Sequence, residues 1–313
     1  LEAKKFGDHL TADHFIAKDE KLDRGIDGET AGLVLCDVAT DDLEGYPCKD
    51  KSADTAFIHM NHYEGPYRKI KYFYSDNAGE LTKAANRLSW PNDPSVQGIK
   101  QTNAIAENSV KRIVKGTTAC LMHAGLDEKW WPYAIQCFTF NRRARIREGD
   151  SIYNKKFNSG HIDQKKIFPF GCRVDFLPTP DAKWTQQNKK KFSAPTVPGI
   201  FLGYKVQSGG RWNSKKPQYY CAPISDFQND SDHPTIMKTQ VVIVDLDDGH
   251  HQFPLKARYD ERRRNVPVDS NTKAISAQDD EARPVGQRPE GAIPLPDVTQ
   301  DIDDDHTQHQ KCI

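Results

Sequence analysis

The stretch "YFYSDNAGEL", Tyr72–Leu81, drives three β-prone aromatics straight into Ser-Asp-Asn-Ala-Gly-Glu. Asp, Asn and Gly are what any strand-ending turn uses, so turn chemistry alone explains an isolated SDNxG. The fold is decided by what else in the chain meets Asp76. Working outward, "KIKYFYSD" (Lys69–Asp76) reads as a strand, and "SADTAFIHMNHY" (Ser52–Tyr63) before it as a helix opened by a capping Ser. "HLTADHFI" (His9–Ile16) alternates as a strand does, and "GLVLCDVAT" (Gly32–Thr40) is a short apolar run ended by polar residues.

Downstream, "SWPNDPSVQGIKQ" (Ser89–Gln101), with two prolines and a glycine, reads as a mobile loop. A long helix follows in "TNAIAENSVKRIVKGTTACLMHAGL" (Thr102–Leu126), capped at Thr102 or Asn103. Its expected apolar stripe is Ala106, Val110, Ile113, Val114, Thr117 and Leu121. "DEKWWPYAIQCFTFNRRARIR" (Asp127–Arg147) begins with acids and ends with arginines, as a helix dipole favours. Short apolar runs such as "PGIFLGY" (Pro198–Tyr204) and "TQVVIVDLD" (Thr239–Asp247) imply a small β-module with a core around Phe201, Leu202, Tyr204, Val241 and Ile243. From about Arg262 the chain is rich in Pro, Gln and Asp and reads as a disordered linker. The divisions are 1–158, 159–260 and 261–313.

The net charge of zero hides segregation. Residues 1–80 carry 17 acids and 10 bases, residues 151–220 carry 3 and 13, and residues 276–313 carry 9 and 3. A basic middle favours a polyanionic partner. No apolar run approaches the roughly 18 residues of a membrane span, and no signal-peptide pattern opens the chain. The seven cysteines are scattered without a CxxC pair, which indicates neither a disulfide framework nor a zinc site and suits a reducing compartment. The first residue is Leu, so a piece of a longer polypeptide is expected.

Three acids sit at or within core elements: Asp13 interrupts the first strand, Asp76 ends another, and Glu107 lies near the start of the long helix. Carboxylates from two neighbouring strands and a helix can converge at one sheet edge. Such a group repels itself without cations, and hard oxygen ligands suit magnesium. Each acid also has a plain reading: an edge-strand residue facing solvent, a turn closure, a helix-dipole partner. Spacing alone leaves both standing.

The order Asp13, "SDNAGE" with Asp76, then "QTNAIAEN" with Glu107 resembles the D, D, E triad of retroviral-type integrases. "EKWWPYAIQCFTFNRR", "FPFGCRVDF" (Phe168–Phe176), "KFSAPTVPGIFLGY" (Lys191–Tyr204) and "HQFPLKARYD" (His251–Asp260) narrow the resemblance to Ty1/copia-type retrotransposon Pol polyproteins. It covers about 5–260. It implies an α/β fold: a ribonuclease H-like core, a mixed sheet flanked by helices, followed by a small β-rich module and a disordered tail. It also implies metal-dependent DNA strand transfer by a DDE-type integrase. Asp13, Asp76 and Glu107 would be its catalytic residues, and would hold two Mg2+ ions, or Mn2+ in their place. Double-stranded DNA (element ends and host target) would be the partner, the assembly a homo-oligomer without membrane contact, and the location the nucleus after a cytoplasmic particle stage. The rival readings are an inactive DNA-binding remnant and a ribonuclease H-like nuclease that only hydrolyses.

On DNA, Lys111 and Lys115 follow Glu107 by one and two helical turns and would grip phosphates; an i,i+4 Glu–Lys pair is the plain alternative. Gln101 and Asn103 resemble the polar loop residues that touch a DNA end. Lys189, Lys190 and Lys191 in "NKKKF", with Lys183 and Arg173, form the clearest electrostatic footprint. Trp130 and Trp131 read as core, and "HMNH" (His59–His62) as an exposed helix face. The chain departs from the family pattern at Ala104 (usually Gly), at Asn108 (usually Arg), at Gln97 and Lys100 (often Pro), and at Asp41 and Asp42, adjacent acids that cost stability if buried unpaired. These departures suggest a decaying element copy.

Overall fold

The computed structural model describes residues 3–17, 24–66, 69–76, 78–94, 104–179, 192, 194–228 and 233–264. Its first sheet takes the order β3-β2-β1-β4-β5, from β1 (Leu10–Ile16), β2 (Ala31–Asp37), β3 (Asp42–Cys48), β4 (Phe73–Ser75) and β5 (Asn92–Pro94). β1, β2 and β3 form an antiparallel meander, while β4 runs parallel to β1 and β5 parallel to β4. The sheet is mixed because two crossovers carry helices: α1 (Ala53–Glu64) leads from β3 to β4, and α2 (Gly79–Arg87) from β4 to β5.

Both faces of this sheet are covered. Leu10, Ala12, Leu33 and Leu35 point to one side and pack with Ala56, Met60 and Tyr63 of α1 and Leu81, Ala84 and Ala85 of α2. Each such leucine contributes at most about 1.5–3 kcal/mol by leaving water. Ser52 caps α1 as expected, its hydroxyl accepting from the Thr55 N–H at 3.2 Å. Val34, Cys36 and Leu43 point the other way, under α3 (Ala104–Ala124) and α4 (Trp131–Ala144). These two helices approach closely at Gly116, where a β-carbon would meet the Phe138 ring at 2.1 Å.

The short hairpin of β6 (Ile146–Arg147) and β7 (Asp150–Ser151) leads through α5 (Ile152–Phe157) to a second, antiparallel sheet. Its order is β11-β10-β9-β8-β12, built from β8 (Arg173–Phe176), β9 (Val197–Tyr204), β10 (Tyr219–Pro223), β11 (Met237–Thr239) and β12 (Val242–Val244). α6 (Ile224–Gln228) lies between β10 and β11. β11 and β12 occupy opposite edges yet are separated by two residues. The sheet therefore curls on itself, and Leu177 fastens the seam: its N–H donates to the Val241 carbonyl at 3.1 Å and its carbonyl accepts from Thr239 Oγ1 at 2.8 Å. A two-residue hairpin, β13 (Leu246–Asp247) and β14 (His250–His251), precedes α7 (Lys256–Arg264). One hydrophobic cluster runs from Val34 and Leu43 through Trp130, Ile135 and Phe140 into Phe176, Phe201 and Tyr219. The β-module thus shares its core with the first sheet, and the described residues form one compact unit.

Several sequence expectations are corrected. β4 is three residues long, Phe73–Ser75, where Lys69–Asp76 read as a strand; before it the Lys71 N–H donates to the Gly7 carbonyl at 2.8 Å and its side chain pairs with Asp8. Part of the expected loop Ser89–Gln101 is strand, since Asn92–Pro94 pair with β4. On α3, Val114 is exposed and Ser109 and Ala124 are buried instead. Val241 and Ile243 are exposed at 43% and 56%, since the alternation turns Val242 and Val244 toward the core. Trp130 and Trp131 are core, as expected. The helix α7 extends over 261–264, where a disordered tail was expected to begin; residues 265–313 lie outside the described residues.

β3 went unread in the sequence, and it accounts for the adjacent acids. Asp41 takes a left-handed turn conformation (φ 57°), which Asp tolerates better than most residues, and receives both Arg112 guanidinium nitrogens at 2.9 Å. Asp42, fully buried, accepts from Arg143 Nε at 2.6 Å and from Lys156 Nζ at 2.6 Å. Arg143 also pairs with Glu44.

Candidate active site

The parallel pairing of β1 with β4 sets Leu10 beside Phe73, Thr11 beside Tyr74 and Ala12 beside Ser75. One step further, the same register brings Asp13 level with Asp76, on strands about 4.8 Å apart. Side chains alternate, so Thr11, Asp13 and Phe15 share a face. That face is the one under α3 and α4: Phe15 meets Trp131 at 5.6 Å between centroids, and Val34, opposite Asp13, lies in the core beneath these helices. Tyr74, beside Thr11, marks the same face on β4, and alternation carries Asp76 to it. α3 packs across β1 and β2, with Glu107 exposed in its first turn.

Asp76 also closes its turn, since its Oδ1 accepts from the Ala78 N–H at 3.3 Å. The turn reading holds, and the hydrogen bond fixes a half-buried carboxylate at the strand end. Asp13 feels its surroundings most. Burial pushes its carboxyl up to about 6; the His14 N–H and Lys51 oppose this, and the charges of Asp76 and Glu107 add to it. The three carboxylates therefore share one electrostatic environment. Among the described residues, no three His, Cys, Asp or Glu side chains converge closely enough to hold a metal ion as they stand. The donor chemistry is nonetheless that of a hard cation: oxygen ligands only, and no basic side chain among the described residues within ion-pair distance of Asp13, Asp76 or Glu107.

Two residues at this end of the sheet were not assigned a role from sequence. Glu80, in the first turn of α2, stands 3.7 Å from His14 Nδ1 and 3.9 Å from Lys51 Nζ. Burial draws the His14 imidazole down to about 4, so it is neutral at pH 7. The available signals were slight: Glu80 belongs to the "SDNAGE" run, and Lys51 precedes the capping Ser52.

Of the DNA-contact residues expected, Lys111 and Lys115 are exposed on α3, without an ion pair among the described residues. Gln101, Asn103, Lys189, Lys190 and Lys191 lie outside the described residues, as does Lys183. Arg173 is engaged by Asp245 at 3.1 Å. "HMNH" is not an exposed face: His59 stacks on Tyr46 at 4.9 Å, and His62 Nδ1 lies 3.0 Å from the Tyr46 hydroxyl, because Tyr46 fills the space between β3 and α1.

The chain is 27% identical over 150 residues to the Retrovirus-related Pol polyprotein from transposon TNT 1-94 of Nicotiana tabacum. This chain is similar to part of a retrotransposon Pol polyprotein. The match takes in 46% of the chain and 11% of that polyprotein, so the chain spans a small part of its relative's length. No protein-family model matches. The Ty1/copia-type resemblance read from the motifs thus has a Pol polyprotein as its counterpart.

Proposed function

We propose that this chain is a DDE-type integrase core on a ribonuclease H-like scaffold, joining element DNA ends to host DNA. The observation that carries the reading is the β1–β4 register, which puts Asp13 and Asp76 together on the face crossed by α3. Asp13, Asp76 and Glu107 would hold the divalent cations, magnesium by their oxygen-only donor set. Glu107, exposed in the first turn of α3, would be the third member. Bound there, the cations would supply an activated hydroxyl and a stabilised leaving oxygen in phosphodiester displacement. The protein's part is positional. In this reading the sheet would hold Asp13 and Asp76, and α3 would bring Glu107 with Lys111 and Lys115 turned to the DNA backbone. Double-stranded DNA and a second copy of the chain are the partners of this reading.

The test is a strand-transfer assay with duplex oligonucleotide ends in magnesium. Joined products from the natural chain, and none from Asp76→Asn, are expected. Cleavage without joining would favour a hydrolytic nuclease. Duplex binding with neither activity would leave a binding remnant.

A further inference from the structure

Lys51 stands in a corner the sequence builds with care. The Thr30 hydroxyl donates to the Lys49 carbonyl at 2.8 Å, tying the end of β3 to β2. Asp50 Oδ1 accepts from the Ser52 N–H at 2.9 Å and from the Thr55 hydroxyl at 2.7 Å, while Ser52 caps α1. The backbone on either side of Lys51 is therefore fixed, and its side chain is 43% exposed.

The topology decides where this corner lies. β1, β3 and β4 point the same way: β3 and β1 are both antiparallel to β2, and β4 is parallel to β1. The chain therefore leaves β3 toward Lys51 and leaves β4 toward Asp76 at one end of the sheet. Glu80 joins the two exits, lying 3.9 Å from Lys51 Nζ at the start of the helix that follows Asp76. α1 and α2 cover the opposite face from α3, so Lys51 approaches this end from the other side to Lys111 and Lys115. Its charge is felt at Asp13 and at His14.

Four carboxylates, Asp13, Asp76, Glu80 and Glu107, make this end of the sheet hostile to a phosphodiester unless cations flank it. A loose, part-exposed Lys–Glu pair adds little to stability, which leaves its geometry without a structural purpose of comparable weight. Resting on the strand-transfer reading for its substrate class, we infer that Lys51 is a phosphate-binding residue. It holds the DNA backbone on the α1–α2 side of the carboxylates, with Glu80 as its counter-ion until DNA arrives.

The experiment measures binding of a blunt fluorescent duplex to the full chain across a salt series, beside steady-state strand joining. Lys51→Gln is expected to lower the slope of log affinity against log salt by about 0.9, one phosphate contact. It should also raise KM for duplex ends while kcat holds. Lys51→Arg should restore both, and Glu80→Gln, by releasing the lysine, should tighten binding only when Lys51 is present. An unchanged salt slope in Lys51→Gln overturns the inference. So does a loss of binding that follows a fall in melting temperature and is not rescued by arginine. If the natural chain joins no strands but keeps a Lys51-dependent slope, the strand-transfer reading falls and the phosphate contact stands.

Discussion

Two groups of acids sit on one sheet and meet opposite fates. At the outer strand β3, Asp42 and Glu44 are buried and wrapped by Arg143 and Lys156. Burial alone would raise the Asp42 carboxyl, but the two cations outweigh it and hold it well below the usual range. Lys156 also rests over the Phe6 and Tyr63 rings at 4.2 and 4.3 Å. At the β1–β4 pair, no such cation among the described residues lies within ion-pair distance of Asp13 or Asp76, and Asp13 is pushed the other way, up to about 6. A chain that neutralises one pair of acids this fully shows what structural acids look like here. Asp13 keeps a carboxyl raised first by burial and then by the charges of Asp76 and Glu107, and on the proposed reading a divalent cation would answer it.

The largest effect that could break this contrast is on activity. Asp76→Asn should lower strand joining by at least about a thousandfold, the upper end of what one lost electrostatic stabiliser costs. Urea unfolding should show no loss of stability, since a like charge has gone. If joining survives, the β1–β4 acids are not the site. The next effect is on the fold itself. Arg143→Ala should cost about 3–5 kcal/mol by urea unfolding at pH 7, because Asp42 and Glu44 would be left buried with only Lys156 to answer them. A cost near zero would mean that the buried acids take up protons or water instead, and the contrast would lose one side.

The two groups also differed in how legible they were. Asp13, Asp76 and Glu107 could be picked out because each interrupts or ends a regular pattern, and pattern is what a sequence displays. Asp42 stood out only as a departure from the family pattern and Glu44 not at all, since "DLEGYP" has acids and a proline where a strand should be apolar. Only the arrival of Arg143 and Lys156, some hundred residues later, makes β3 possible, with ion pairs at separations of 99, 101 and 114 residues. The β-module was read from its short apolar runs, but its shared core was not. Phe201 and Tyr204 look the same in sequence whether they pack on their own sheet or, as Tyr204 does, on Phe140 of α4. The "HMNH" histidines misled for the same reason, their partner Tyr46 lying on the unread strand.

A smaller effect sharpens the contrast through pH. Burial pushes the folded Asp13 carboxyl up to about 6 from its ordinary 3.8, so the folded state holds its proton more tightly. The stabilising contribution of that proton is complete below about pH 4 and is lost as pH rises through 6. Asp13→Asn removes the loss. Its melting temperature should match the parent at pH 4 and exceed it at pH 7 by on the order of 2 °C, a figure discounted for a part-exposed group. An equal gain at both pH values would mean that Asp13 carries no charge conflict.

The smallest expected effect separates α3 as a DNA-gripping element from α3 as a cover for the sheet. Its buried side, Ala106, Ser109, Ile113, Thr117 and Leu121, already accounts for its packing, so the exposed lysines are not needed to hold it in place. Nor do they serve as i,i+4 partners: among the described residues neither Lys111 nor Lys115 forms an ion pair, and both are exposed. Lys115→Gln should therefore leave the melting temperature unmoved and lower the salt slope of duplex binding by about 0.9, equally for every duplex sequence. Lys111→Gln, one turn nearer Glu107, should lower the slope by a similar amount and also raise KM for joining, because its phosphate lies closer to the reacting one. A helix that merely covers the sheet would show neither change. In that case α3 would contribute Glu107 alone, and the grip on DNA would have to come from elsewhere on the chain.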